Sequence, residues 1–80
     1  MEPDERETRI KTLEAAAEQA YDDMYEAHSW SGCSDAFHDV KEFLYEAIRL
    51  ATELGLSDEV TRLEKRLEHI CAVYDSQMRR

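Results

Sequence analysis

The residues of this chain with the widest chemical range are its three histidines and two cysteines. Both residue types are preferred zinc ligands, and a structural zinc site takes four of them. Helical spacing places His38 in the middle of a polar face and points His69 away from an apolar seam. Cys71 is predicted to lie roughly 10 Å along the bundle axis from Cys33. Only His28 and Cys33 are left to converge, and two ligands do not make such a site. We therefore expect neither a metal nor any other cofactor.

Cys33 is also the best candidate for a nucleophile. It precedes a predicted helix N-terminus, where the helix dipole lowers the pKa of a thiol, and His28 could act as its base. Catalysis would also need donors for a developing oxyanion, and the sequence offers none beyond the amides of that helix. We therefore interpret Cys33 as a packed loop residue, predict no catalytic residues and expect that the chain is not an enzyme. A disulfide between Cys33 and Cys71 is not expected, because their predicted positions along the bundle axis differ by roughly 10 Å.

Length and charge limit the classes of function. Eighty residues suit a single helical domain spanning residues 1–80. The formal net charge of −9 argues against direct nucleic-acid binding and against an anionic membrane surface, because phosphate groups repel excess carboxylates in both cases. No apolar run approaches the roughly 20 residues of a membrane span, and the first residues lack the features of a signal peptide. With too few cysteines for a disulfide scaffold, we expect a cytoplasmic protein.

Residues that start and end helices, together with apolar spacing, predict an all-α fold. The three predicted helices run over about residues 4–28, 35–54 and 58–78. Asp4 can cap the first helix while Glu7 reaches back to it. Ser34 is the predicted N-cap of the second helix, after a loop over residues 29–34 that contains Gly32.

The apolar positions of each predicted helix form a single face. In the first helix they are Ile10, Leu13, Ala17, Ala20, Met24 and Ala27. In the second they fill an arc of about 160° at the helical step: Ala36, Phe37, Val40, Phe43, Leu44, Ala47, Ile48, Leu50, Ala51 and Leu54. In the third they are Val60, Leu63, Leu67, Ile70 and Tyr74. The wide arc suits a helix with two neighbours, so the second helix is predicted to be the centre of the core.

The second connection is predicted to be a tight turn. Gly55 is expected to end the second helix in the left-handed conformation, and Ser57 to cap the third helix immediately afterwards. Short connections make each helix antiparallel to the next. The sequence therefore predicts an antiparallel up-down-up three-helix bundle.

Part of this pattern resembles the tetratricopeptide repeat. Four residues have the apolar, apolar, small and aromatic spacing of the first helix of that repeat: Leu67, Ile70, Cys71 and Tyr74. The turn at Leu54-Gly55, followed at once by a new helix with acids in its first turn, is also similar to that family. The match covers about a quarter of the chain, and the 34-residue period does not recur. The resemblance implies a helix-pair adaptor, which we keep as one alternative for function.

The charges are unevenly distributed. Residues 13–46 carry nine acids against one base, whereas residues 47–80 carry six of each. The acids of the first two helices are Glu14, Glu18, Asp22, Asp23, Glu26, Asp35, Asp39, Glu42 and Glu46. On the third helix, four basic residues are predicted to lie on the outer side together with Val73: Arg62, Lys65, Arg66 and His69. Solubility is the simplest explanation of the excess acid.

Beyond solubility, these surfaces predict a small, acidic, non-catalytic protein-interaction module that self-associates as a homo-oligomer or binds another protein. The candidate partner-binding residues are Trp30, Cys33, Phe43, Leu50, Arg62, Arg66 and Val73. Trp30 can be an interface anchor or a lid on the core, and both interpretations stay open. One alternative is a nucleic-acid-mimicking inhibitor or antitoxin-like factor that binds a basic protein groove. The other is the tetratricopeptide-like adaptor.

Overall fold

The computed structural model describes residues 5–26 and 30–78, and these residues form three α-helices. In chain order the elements are α1 (Glu5–Glu26), α2 (Trp30–Glu53) and α3 (Ser57–Val73), which continues into a π-helical segment (Tyr74–Met78). α1 packs along α2, and α2 packs along α3. The predicted all-α three-helix bundle is confirmed. Within the described ranges no helix combines the length and the apolar character needed to cross a membrane.

Side-chain pairs between the helices show the direction of the chain. Arg9, near the start of α1, pairs with Glu46 in the second half of α2 at 2.9 Å. Phe37, near the start of α2, stacks on Tyr74 just beyond α3, with 3.9 Å between ring centroids. Each helix is therefore antiparallel to the one before it, and α1 and α3 run parallel.

α2 is the centre of the core, as its wide apolar face predicts. Its fully buried side chains are Val40, Leu44, Ala47 and Ala51, and Phe37 and Ile48 pack against them. α1 contributes Ile10, Leu13, Ala17 and Ala20, and α3 contributes Leu63, Leu67 and Ile70. The two buried alanines of α1 leave room for its backbone to lie close to α2, because a methyl group is the smallest side chain that a helix face can bury.

α2 begins earlier than predicted. The helix starts at Trp30, so Gly32 lies inside it and Ser34 is not its N-cap. A helical glycine costs about 1 kcal/mol relative to alanine. The added turn buries Cys33 against Met24 and Tyr74, and this burial offsets that cost. The predicted cap at Asp4 and the predicted end of α1 at residue 28 lie outside the described residues.

The turn between α2 and α3 has the predicted left-handed glycine. Gly55 has a φ of +73°, and its N–H donates to the carbonyl of Thr52 at 3.1 Å. The N–H of Leu56 donates to the carbonyl of Ala51 at 2.9 Å, which completes a Schellman motif. Leu56 is then the N-cap of α3 and makes no side-chain cap hydrogen bond. The prediction that Ser57 caps α3 is wrong, because α3 begins at Ser57, directly after the Schellman motif.

Candidate partner-binding surfaces

Arg62 and Arg66 hold α3 to α1, which corrects their predicted place on the outer side of α3. Arg62 donates to both carboxylate oxygens of Glu14 and also pairs with Glu59 of its own helix. Arg66 donates to both carboxylate oxygens of Glu18, from Nε at 2.7 Å and from Nη2 at 2.6 Å. Helix rotation places these arginines on the flank of α3 that faces α1. Two of the acids predicted to form a free surface are thus paired within the chain.

The Arg66 site also contains an aromatic ring. The guanidinium carbon of Arg66 lies 5.0 Å from the ring centroid of Tyr21, which is within cation–π range. The Arg66 hydrogen bonds hold the pKa of the Glu18 carboxyl below its usual value, and the same pair raises the pKa of the guanidinium. Burial and a hydrogen bond with Tyr25 raise the pKa of the Tyr21 hydroxyl to about 12. Glu18, Tyr21 and Arg66 therefore form one connected polar unit between α1 and α3.

Of the nine acids in residues 13–46, ion pairing with arginines leaves six, and these lie towards one end of the bundle. Glu46 of α2 pairs with Arg9 of α1, in addition to the pairs made by Glu14 and Glu18. Six exposed carboxylates remain in the half where α1 ends and α2 begins, and we call them the acidic end: Asp22, Asp23, Glu26, Asp35, Asp39 and Glu42.

Few partners compensate the charge of the acidic end. Asp23 accepts a hydrogen bond from the amide of Gln19, and Glu42 lies 3.6 Å from the imidazole of His38. No ion pair joins the other four carboxylates to a cation in the described part of the chain. Residues 19–42 contain one lysine, Lys41, whose ammonium group lies 4.9 Å from the ring centroid of Phe37. The acidic end is therefore a surface of nearly one sign.

The other candidate partner-binding residues lie mostly in or against the core. Cys33 is 6% exposed and Leu50 is 7% exposed, so neither presents a side chain to a partner in this conformation. Phe43 is half-buried and packs against the core, and Val73 is half-buried. Trp30 begins α2, and its side chain lies outside the described residues. The interface role of these residues stays a prediction, now with less apolar surface to support it.

The cysteines and histidines are not brought together as a reactive site in the described part of the chain. No group of three or more His, Cys, Asp and Glu residues there could hold a metal ion. Both cysteines are free thiols. Burial raises the pKa of the Cys71 thiol. The prediction that Cys33 precedes the helix is wrong, because Cys33 lies within the first turns of α2. His28, its predicted base, lies outside the described residues.

Two tyrosines are the large apolar side chains that the described residues expose. Tyr25 of α1 is 47% exposed and Tyr45 of α2 is 58% exposed. The ring of Tyr25 stacks on that of Tyr21, with centroids 5.2 Å apart, and their hydroxyl oxygens are 3.3 Å apart. Sequence reasoning missed both tyrosines, since it assigned aromatic contacts to α2 and the loop. The available signal was the spacing of Tyr21 and Tyr25, which places both on one face of α1.

A surface cavity of about 300 Å³ lies beside the turn between α2 and α3. It is lined by Thr52, Gly55, Leu56, Ser57, Val60 and Thr61. Leu56 and Val60 also pack against the core, so the cavity is an outward continuation of the groove between α2 and α3. Tyr45 lies two helical turns before Thr52 and thus on the same face of α2.

Comparison with known proteins finds no match for this chain among protein families, curated proteins or solved structures.

Proposed function

We propose that this chain is a non-catalytic protein-interaction module whose acidic end binds a basic surface on another protein. The observation that carries the proposal is the division of the acids. The fold pairs Glu14, Glu18 and Glu46 with arginines and leaves six carboxylates exposed at one end with one lysine. Solubility alone needs charge but no such concentration, which costs stability through self-repulsion. A surface of one charge sign attracts a basic partner, and this attraction speeds and orients their association.

The partner that fits best is a protein with a basic groove. Asp35, Asp39 and Glu42 are spaced four and three residues apart, so they follow one side of α2 over about 10 Å. Asp22, Asp23 and Glu26 add negative charge from the neighbouring helix. A rod of exposed carboxylates presents the regularly placed anions that a nucleic-acid-binding groove accepts. The chain would then act as an inhibitor or antitoxin-like factor for such a protein in the cytoplasm.

The surroundings of the two cysteines support a non-catalytic role. Cys33 is enclosed by Met24 and Tyr74, so a substrate has no access to its sulfur in this conformation. The raised pKa of Cys71 lowers its thiolate fraction near neutral pH, and the thiolate is the nucleophile.

Self-association is a second candidate function. Two apolar features favour it: the exposed ring of Tyr45 on α2, and the cavity beside the turn between α2 and α3, which is lined by Leu56 and Val60. A second copy of the chain could bury these apolar features, and small domains gain stability from such burial. Sedimentation velocity tests this candidate: a dimer that Tyr45→Glu dissociates supports it, and a monomer at high concentration removes it.

Binding of a labelled hexalysine peptide tests the proposed function. A variant with Asp35→Asn, Asp39→Asn and Glu42→Gln should bind the peptide several-fold more weakly, because each exposed pair contributes about 0.2–1 kcal/mol. The matched control changes Glu7, Glu53 and Glu64 to Gln, which removes the same charge from exposed positions elsewhere. The affinity of the unmodified chain should also fall between about 50 and about 300 mM salt. Equal losses in the two variants, or no binding to the unmodified chain, would contradict the proposal.

A further inference from the structure

The unit formed by Glu18, Tyr21 and Arg66 shows how this chain binds an arginine. Glu18 and Tyr21 lie three residues apart on α1 and therefore share one face of the helix. The carboxylate accepts two hydrogen bonds from the guanidinium, at 2.7 and 2.6 Å, and the same guanidinium lies over the tyrosine ring at 5.0 Å. On α1, Glu18 and Tyr21 are thus an arginine-binding pair, formed by an acid and a tyrosine three residues apart.

The same spacing occurs on α2 as Glu42 and Tyr45, where the carboxylate lies 3.6 Å from an imidazole of its own helix. On α1 the pair recurs one helical turn later, as Asp22 and Tyr25. Both residues are exposed, and Tyr25 stacks on Tyr21, which continues the aromatic surface along α1. No described cation pairs with Asp22. The repeated pair is therefore presented to solvent.

The geometry of α3 explains why it does not supply an arginine here. α1 and α3 run parallel, and partners across them differ by 48 positions, as in the pair of Arg66 with Glu18. The same offset places Ile70 opposite Asp22, and Ile70 is fully buried in the core. The row of arginines on α3 that began at Arg62 ends at Arg66, one turn before the second acid–tyrosine pair.

We propose that Asp22 and Tyr25 bind an arginine side chain of the basic protein that docks on the acidic end. This inference rests on the proposed function and assigns the residue type that the partner must present. Arginine is preferred to lysine because its planar guanidinium can stack on a ring and donate to a carboxylate at the same time. Asp23 and Glu26 add negative potential on either side, so the charge of this surface is complementary to a guanidinium.

Paired titrations with hexa-arginine and hexalysine peptides test the assignment, with affinities measured by fluorescence anisotropy at one salt concentration. The unmodified chain should bind hexa-arginine more tightly. Tyr25→Leu should weaken hexa-arginine binding by about two- to fivefold, the effect of one exposed cation–π contact, and should weaken hexalysine binding less. Tyr25→Phe is the matched control, because it keeps an aromatic ring at the same position and should therefore keep the preference for hexa-arginine. Circular dichroism verifies that each variant is folded.

The contribution of the Asp22 carboxylate is tested with the same peptides. Asp22→Asn should weaken hexa-arginine binding more than Asp35→Asn does, although both remove one charge from the acidic end. An unchanged ratio of the two peptide affinities in Tyr25→Leu would overturn the arginine assignment and leave the proposed function intact. Failure of both peptides to bind the unmodified chain would overturn both. A larger gain in affinity for hexa-arginine than for hexalysine after Arg79→Gln and Arg80→Gln would show that the chain's own arginines compete for the pair, and would overturn the assignment to a partner.

Discussion

The contact between α1 and α3 yields a quantitative prediction, because it depends on a polar unit that single substitutions can dismantle. Arg66 donates two hydrogen bonds to Glu18 and lies over Tyr21. An exposed ion pair is worth about 0.2–1 kcal/mol, and a bidentate geometry favours the upper part of that range. The cation–π contact adds about 0.5–1 kcal/mol. Arg66→Met keeps most of the apolar stem and should therefore lower the free energy of unfolding by about 1–2 kcal/mol.

A double-mutant cycle isolates the ion pair from the rest of the Arg66 contacts. Glu18→Gln, Arg66→Met and the double variant should show a coupling energy of about 0.5–1 kcal/mol in urea unfolding followed by circular dichroism. The control cycle uses Glu46 and Arg49, which approach only to 3.8 Å within one helix. For a chain of 80 residues a total stability of about 4–12 kcal/mol is expected, so these losses are measurable. A Glu18–Arg66 coupling no larger than the control would refute the placement of Arg66 against α1.

Three further predictions concern the turn, the core and the ion pairs. Gly55→Ala should lower stability by about 1 kcal/mol in urea unfolding, because φ at this position is +73° although no atom would meet the added methyl group. Leu44→Ala should cost about 2–5 kcal/mol, since the side chain is fully buried, whereas Tyr45→Ala should cost little; equal losses would contradict the central position of α2. Hydrogen bonds from the arginines hold the pKa values of Glu18 and Glu59 below the usual 4.5, so their contribution to stability is complete above about pH 4.5 and is lost as the pH falls through the folded-state pKa. Thermal melts across that range should show this loss, and it should shrink in a chain that carries Glu18→Gln and Glu59→Gln.

The acidic end gives the stability predictions a functional counterpart. Arg66→Met should lower stability without weakening hexa-arginine binding, because it vacates the Glu18–Tyr21 pair and leaves Asp22 and Tyr25 in place. Substitutions at Asp22 and Tyr25 should do the reverse, since both side chains are exposed. The two sets of variants therefore separate the arginine that stabilises the fold from the arginine that we assign to a partner.

The sequence by itself was enough to determine the helical architecture, because local chemistry carries that information. Apolar residues at steps of three and four can be buried together only if the chain is helical, and this predicted the core positions from Ile10 to Ile70. The left-handed conformation of Gly55 could also be predicted, since residues with a side chain strongly disfavour that conformation and glycine does not. The centre of the core at α2 followed from the width of its apolar face.

Only the tertiary structure decided where α2 begins and which acids remain unpaired. The low helix propensity of Gly32 favours a helix break at that position. Burial of Cys33 between Met24 and Tyr74 stabilises the added turn, and this burial depends on side chains outside α2. The rotation of α3 about its axis turns Arg62 and Arg66 towards α1, and no periodicity in α3 alone specifies a neighbour. Because ion pairs form between side chains distant in sequence, the surface left for a partner could be read only after the helices were packed.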